Sequence, residues 1–530
     1  MKRSKIFIRL IVFVSIVCVL FSATTAFAKI YHLTILHNSD HHGHFTKFSW
    51  NGIPDVGGMA ARSTLINIVR AEVEKAGGHV LLLSGGDVNI GVPESDLLDA
   101  EPDFKLMNLL GYDAMVLGNH EFDKALDVLM KQREWAGFPF LAANVVKKGT
   151  GEPLVDPYII KELDGLKVAI FGLTMEETKI LALPQPLETL EIRSVIETSQ
   201  ELVPKLRAQA DVVIALSHIG FYETSGAGYR TPGDLKLAQE VPGIAVIVGG
   251  QSGTVLEEPE IIGNTLIVHA GEYGLYVGRL DLTIDSDTDD ITEYTYKLLP
   301  VNLKRQVTYH DISYYMYVDN GYVEDSEVLE FIHPYLEQTA ELLSQPAGEA
   351  LVQLVGDKKI IRSQETNLAN FVTDSMRAKT GAEIAFCNAG GIRADIAAGP
   401  IAYRDVLKVL PFGNTLVLLD MTGEQIRDVL DYAATIKPGN GGFLHASGLT
   451  WTNNRGIPEQ GMIGGKPIES ENMYKVVINN FLAAGGDGYT MFKEAPQYDT
   501  GFTDASALRE YIMKAGKVAP KVEGRLTIIE

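Results

Sequence analysis

Eight residues of this 530-residue chain could do chemistry together. Asp40 and His42 stand in Asn38-Ser39-Asp40-His41-His42-Gly43-His44, and Asp87 ends Ser84-Gly85-Gly86-Asp87. Asn119, His120 and Asp123 share Gly118-Asn119-His120-Glu121-Phe122-Asp123. His218 stands in Ser217-His218-Ile219-Gly220, and Gln251 follows Val248-Gly249-Gly250. Carboxylate, imidazole and amide oxygen are donors that suit Zn, Mn, Co or Mg. A carboxylate such as Asp87 can give one oxygen to each of two ions, and the neighbouring glycines let backbone and substrate come close. Taken singly, each motif has an ordinary explanation: a chance Asp-x-His, a capped turn, a core histidine. Taken in order, with each motif placed after an apolar run, they predict a site for two divalent metal ions.

The apolar runs are the elements that must position these groups. Leu33–Leu36, Val80–Leu83, Ala114–Leu117, Val168–Phe171, Val212–Leu216 and Ala245–Val248 read as short strands. Stretches with helical spacing, such as Ala60–Val73 and Leu106–Leu110, lie between several of them. That alternation predicts a layered α/β domain. In such sheets ligands gather at the carboxyl ends of the strands, where all five motifs fall. Residues 283–292 are acidic and turn-like and predict an exposed hairpin. An amphipathic helix is expected from Glu324 to Ser344, kinked or restarted at Pro334, and Gln345-Pro346-Ala347-Gly348 ends it. The expected organisation is a leader at 1–28, a metal-site domain at 29–323, a connecting helix at 324–346 and a second α/β domain at 347–530.

Hydrophobic residues make up 46% of the chain and charged residues 22%, ordinary values for a globular protein. The net charge of −22 repels phosphate backbones and disfavours nucleic acid as a partner. A small anionic substrate then needs a local reversal of that field. Lys2, Arg3, Lys5 and Arg9, the apolar run Leu10–Phe21 and Ala26-Phe27-Ala28 form a signal-peptide pattern with cleavage expected after Ala28. The run is short of the ~20 apolar residues of a spanning helix, so no stable membrane anchor is expected after cleavage. Export to the periplasm or the medium is the expectation, with the mature chain a monomer. Cys18 would leave with the leader, and Cys387, in Ile384-Ala385-Phe386-Cys387, reads as a small buried hydrophobe.

The stretches Ser84-Gly85-Gly86-Asp87-Val88-Asn89-Ile90-Gly91-Val92-Pro93-Glu94-Ser95-Asp96 and Gly111-Tyr112-Asp113-Ala114-Met115-Val116-Leu117-Gly118-Asn119-His120-Glu121-Phe122-Asp123 carry a specific likeness. The chain resembles the secreted 5′-nucleotidase family of calcineurin-like metallophosphoesterases, in particular its bacterial UDP-sugar hydrolase/5′-nucleotidase branch. Matching motifs continue at Glu365-Thr366-Asn367-Leu368, Asn388-Ala389-Gly390-Gly391-Ile392-Arg393, Pro411-Phe412-Gly413-Asn414, Asn480-Phe481 and Gly485-Gly486-Asp487-Gly488-Tyr489. The resemblance implies a four-layer α/β-β/α metallophosphoesterase domain followed by an α/β nucleotide-binding domain. It implies that Asp40, His42, Asp87, Asn119, His218 and Gln251 face the ions, that His120 assists the leaving group and that Asp123 orients it. It further implies a substrate site of Lys358, Arg362, Asn388, Arg393, Phe412, Asn414, Phe481 and Asp487. Arginine suits phosphate, and aromatic faces stack on bases.

Two features depart from the family pattern. Where relatives carry Gly-His-x-His or Gly-His-x-Gln, this chain has Gly250-Gln251-Ser252-Gly253, so one ion ligand becomes an amide and another is absent. Lys358 replaces an arginine. His269, on the next apolar run, is a candidate to fill the gap, although a core or supporting role fits it better. The reading is an exported phosphohydrolase of 5′-nucleotides that also cleaves UDP-sugars. The alternatives are a nucleotide-binding protein of little activity and a 2′,3′-cyclic nucleotide phosphodiesterase.

Overall fold

The computed structural model describes residues 29–529 except 51–52, 183, 224–230, 287, 289 and 311, so the expected leader lies outside the described residues. The first domain is built on two six-stranded sheets. In one, strands Ile30–Asn38, His79–Ser84, Ala114–Val116 and Phe140–Leu141 run parallel, and Tyr276–Asp285 and Asp290–Pro300 extend it antiparallel. The last two strands pair with each other across the predicted hairpin at 283–292. In the other sheet, Leu166–Thr174, Val212–His218, Val246–Gly249 and Thr265–His269 run parallel.

Strand periodicity explains the layering. Successive side chains point to opposite faces, so Leu81 and Leu83 enter the core between the sheets while Leu82 faces a helical layer. In the second sheet, Val168 and Ile170 face the first sheet, and Ala169 and Phe171 meet helix Val195–Arg207. Strands buried on both faces can be apolar throughout, which is why Val212–Leu216 is an unbroken apolar run. The outer layers are helices Met59–Lys75 and Glu101–Leu109 on one side and Val195–Arg207 and Asp234–Glu240 on the other. The expected four-layer α/β-β/α architecture is therefore present.

Helix Ser326–Leu343 runs through Pro334 as one element, where the sequence predicts a kink or a restart. Asp325 caps it, accepting from Glu327 N at 3.0 Å and from Ser63 Oγ at 2.7 Å. Val328 and Ile332 join the first domain's helical core. Beyond it, the second domain has a five-stranded sheet with Ile384–Asn388 and Met473–Asn479 near its centre. Helices Asn367–Thr380 and Asp504–Ala515 cover one face, and Gly423–Thr435 covers the other. Cys387 is buried on the side of the first pair, as expected, and burial pushes its thiol up. No helix among the described residues is long and apolar enough to cross a membrane.

Candidate functional site

Parallel strands bring their carboxyl ends to one edge, and the five motifs meet there. Asp40, Asp87 and Asn119 leave the first sheet, and His218 and Gln251 leave the second. The seam between the sheets is hydrogen-bonded: His218 Nδ1 donates to Gly85 O at 2.5 Å, and Gln251 N donates to the Asp40 carboxylate at 3.1–3.2 Å. Asp40, His42, Asp87 and Gln251 all have left-handed backbone conformations, with φ of 50°, 49°, 52° and 78°. Such strain in non-glycine residues persists where surrounding structure fixes it, as at functional sites.

Two groups of ligand atoms lie within 4.8 Å of one another: Asp40, Asp87 and His218, and His42, Asp87 and His120. Asp87 belongs to both. Three of the donor atoms have no hydrogen bond of their own. His42 Nδ1 donates to Ile90 O at 2.9 Å, leaving Nε2 unengaged. Asn119 Oδ1 is buried without a hydrogen bond, and so is His218 Nε2, although it lies 3.0 Å from Asp87 Oδ2. Buried polar atoms without partners are uncommon, and divalent ions would satisfy these two. Electrostatics points the same way. Burial holds His42 neutral, with its pKa down at about 3, and neutral imidazole is the ligand form. Burial opposes charge on His218, yet Asp87 and Asp40 lift its pKa to about 10: the two carboxylates demand a positive charge here. Burial would also raise Asp87, but His218, His120 and His42 hold it below the usual carboxylate range.

His120 Nδ1 pairs with the Asp123 carboxylate. Burial disfavours the imidazolium, but Asp123 and then Asp87 outweigh it and raise the pKa of His120. Facing this cluster, the second domain supplies cations to one shared cavity of about 390 Å³. Lys358, Arg362 and Arg393 line it; burial and then neighbouring Arg393 bring Arg362 down to about 10. These three reverse, locally, the acidic field of the chain. The Arg393 guanidinium lies 5.5 Å from the Phe412 ring centre, and Phe412 stacks at 6.0 Å on His120 of the first domain. Phe481 lines the same cavity and packs where a Cβ on Gly486 would stand, 2.5 Å from its ring, so that position requires glycine. Asn388 Nδ2 donates to Asp487 Oδ2 at 2.8 Å, and burial lifts Asp487 to about 6. Asn414 completes the wall and bonds Asp504. The Glu365–Leu368 motif does not line the cavity; Thr366 caps helix Asn367–Thr380 through Ala369 N at 3.2 Å.

The structure thus brings every predicted ion, catalytic and substrate residue to this cavity or, for His218, directly behind it. His269 is committed elsewhere: its Nε2 meets Asp234 Oδ2 at 2.8 Å. Three participants were missed. Glu121, buried, accepts backbone N–H groups from Gly118 at 2.7 Å, Asp87 at 3.0 Å, Val88 at 2.8 Å and Asn89 at 3.3 Å, clamping the Asp87 loop to the Asn119 loop. Glu272 and Tyr273 line the cavity from the loop after strand Thr265–His269. The signal for that loop was available: Ala270-Gly271-Glu272-Tyr273-Gly274 follows a parallel strand, as the five recognised motifs do.

Gly118 gives a test of this packing. A Cβ there would stand 2.1 Å from Asp87 Oδ1. Gly118→Ala is expected to displace that carboxylate and weaken ion binding at least ~10-fold, the scale on which supporting groups act; calorimetric Mn²⁺ titration checks it.

Residues 33–250 match the model of the calcineurin-like phosphoesterase family, and residues 347–494 match that of the 5′-nucleotidase C-terminal domain. The chain is 40% identical over 506 residues to a 5′-nucleotidase of Vibrio cholerae, covering 91% of this chain and 90% of that protein. It is 38% identical over 511 residues to protein UshA of Escherichia coli, covering 92% of each. Among solved structures, a 5′-nucleotidase precursor from Thermus thermophilus superposes with a TM-score of 0.79 at 32% identity, covering 94% of this chain and all of that one.

Proposed function

Because the chain belongs to the 5′-nucleotidase family of calcineurin-like metallophosphoesterases, and is a hydrolase of that class, we propose that it is a nucleotide phosphohydrolase dependent on two divalent ions. The observation that carries this reading is the shared cavity, in which the carboxylate–imidazole cluster faces three cations and two phenylalanines. Arg362 and Arg393 grip the phosphate with planar forks, and Lys358 adds a point charge. Phe412 and Phe481 flank the base, and Asp487, held by Asn388, meets the ribose. Asp40, His42, Asp87, Asn119, His218 and Gln251 hold the ions; Zn, Mn, Co and Mg all suit these oxygen and nitrogen donors. When bound, the ions supply an activated water and stabilise the charge developing on the phosphoryl oxygens. His120, oriented by Asp123, stabilises the transition state and assists the leaving oxygen. A 5′-nucleotide yields nucleoside and phosphate; a UDP-sugar yields nucleoside monophosphate and sugar phosphate. The leader pattern at 1–28 supports export of the chain to this work.

The weakened ligand set at Gln251 and Gly253 shapes the expected result. Activity should depend on added metal after brief chelation. Phosphate release from AMP, nucleotide release from UDP-glucose and ring opening of 2′,3′-cyclic AMP are to be measured on stripped protein reloaded with each metal. Metal-restored cleavage of AMP supports the proposal. Nucleotide binding with no cleavage of any substrate under any metal refutes it in favour of a binding protein, and cleavage of the cyclic ester alone transfers it to a phosphodiesterase.

A further inference from the structure

We propose that Glu272 completes the coordination of the ion on the Asp40 side of Asp87, in the space that a side chain at Gly253 would otherwise fill; this rests on the metal-dependent reading above. Strand Thr265–His269 runs parallel beside Val246–Gly249, so the loop after it emerges at the same edge as Gln251. Three hydrogen bonds fix that loop. Tyr273 N donates to Asp40 O at 2.8 Å, Ser39 Oγ donates to Gly271 O at 3.1 Å, and Gly271 N donates to Thr254 O at 2.9 Å. Glu272 is therefore tethered on one side to the Asp40 loop and on the other to the Gln251–Thr254 loop.

Its side chain has a defined direction. A Cβ built on Gly253 would lie 3.1 Å from Glu272 Oε2. Glu272 lines the cavity with Asp40, Asp87 and Gln251. Among the described residues its carboxylate makes no hydrogen bond and no salt bridge, although the charges of Lys358 and Arg393 act on it. Lys358 and Arg393 offset part of its charge, and its oxygens lie outside both groups of mutually close ligand atoms, so a turn of the side chain carries it to the ion. The buried, unpartnered Asn119 Oδ1 and His218 Nε2 independently mark this cluster as a cation site.

The test is Mn²⁺ binding to the stripped full-length protein, followed by calorimetry and by the electron paramagnetic resonance of free Mn²⁺. Wild type is expected to bind two ions. Glu272→Gln should weaken one of them about 10–100-fold, the cost typical of losing a group that supports a metal site, and leave the other unchanged. Adding Gly253→His to Glu272→Gln should recover at least about 10-fold of that loss, which also shows that the single variant is folded. Two ions bound by Glu272→Gln as tightly as by wild type would overturn the proposal, whatever the change in nucleotide KM; a change in KM alone would make Glu272 a partner of Lys358. A wild type that binds no Mn²⁺ while still hydrolysing AMP would remove the metal reading itself, and this assignment with it.

Discussion

Asp87→Ala is expected to abolish tight binding of both ions. Asp87 is the one residue common to the two ligand groups; its Oδ1 accepts from the backbone N of His120 at 2.9 Å, and its Oδ2 lies 3.0 Å from His218 Nε2. Alanine removes the bridge and also the charge that offsets His218 and His120. The loss should exceed that from Asn119→Ala, because an amide is a neutral and weaker ligand. Elemental analysis after dialysis checks it: fewer than about one ion per chain is expected, from the loss of a carboxylate that serves both ions. A variant retaining two ions would refute the bridging role. The isosteric Asp87→Asn separates loss of charge from loss of shape.

His120→Ala is expected to lower kcat ~10²–10⁴-fold, the usual contribution of a positioned acid or base, with nucleotide binding nearly unchanged. A group that acts mainly in the transition state changes kcat more than ground-state binding. The geometry supports that division. Asp123 occupies Nδ1, and the adjacent carboxylates favour the protonated ring over its burial. Asp123→Asn should lower kcat less, since it loosens the histidine without removing it. Because His120 also lies within reach of His42 and Asp87, ion content must be measured beside the kinetics. Unchanged kcat with raised KM would assign His120 to substrate binding, and loss of one ion would make it a ligand.

Much of this site was legible because strand ends are legible. Val80–Leu83 and Val212–Leu216 are apolar runs that stop abruptly at a polar group, and parallel packing takes every such stop to one edge. Asp40, Asp87, Asn119, His218 and Gln251 were found by that rule. Arg362 and Phe412 offered no comparable signal. Arg362 ends a four-residue helix, Lys358–Ile361, and Phe412 stands in an irregular segment after helix Tyr403–Val409, so only family resemblance pointed to them. Glu121 was missed because its work is to accept backbone N–H groups from Asp87 and Val88, on a loop distant in sequence, a contact no local pattern encodes. Glu272 was missed for a different reason. Imidazole is the commoner ligand and makes His269 the more conspicuous residue of that run, yet position 269 still lies within a strand and bonds Asp234, while the loop that opens onto the cavity begins after it.

The cavity between the domains has one central consequence: a single phosphate can meet the ion cluster of the first domain and the cations of the second at the same time. The most direct measurement is a crystal structure of Mn²⁺-loaded protein with a non-hydrolysable nucleotide analogue, using the anomalous signal to locate the metal. Two anomalous peaks are expected astride Asp87, ~3.5–4 Å apart as in two-metal hydrolases, with the phosphate between them and Arg362 and Arg393, and the base between Phe412 and Phe481. A nucleotide bound in the second domain with no metal peak at Asp87, or with its phosphate directed away from His120, would contradict it.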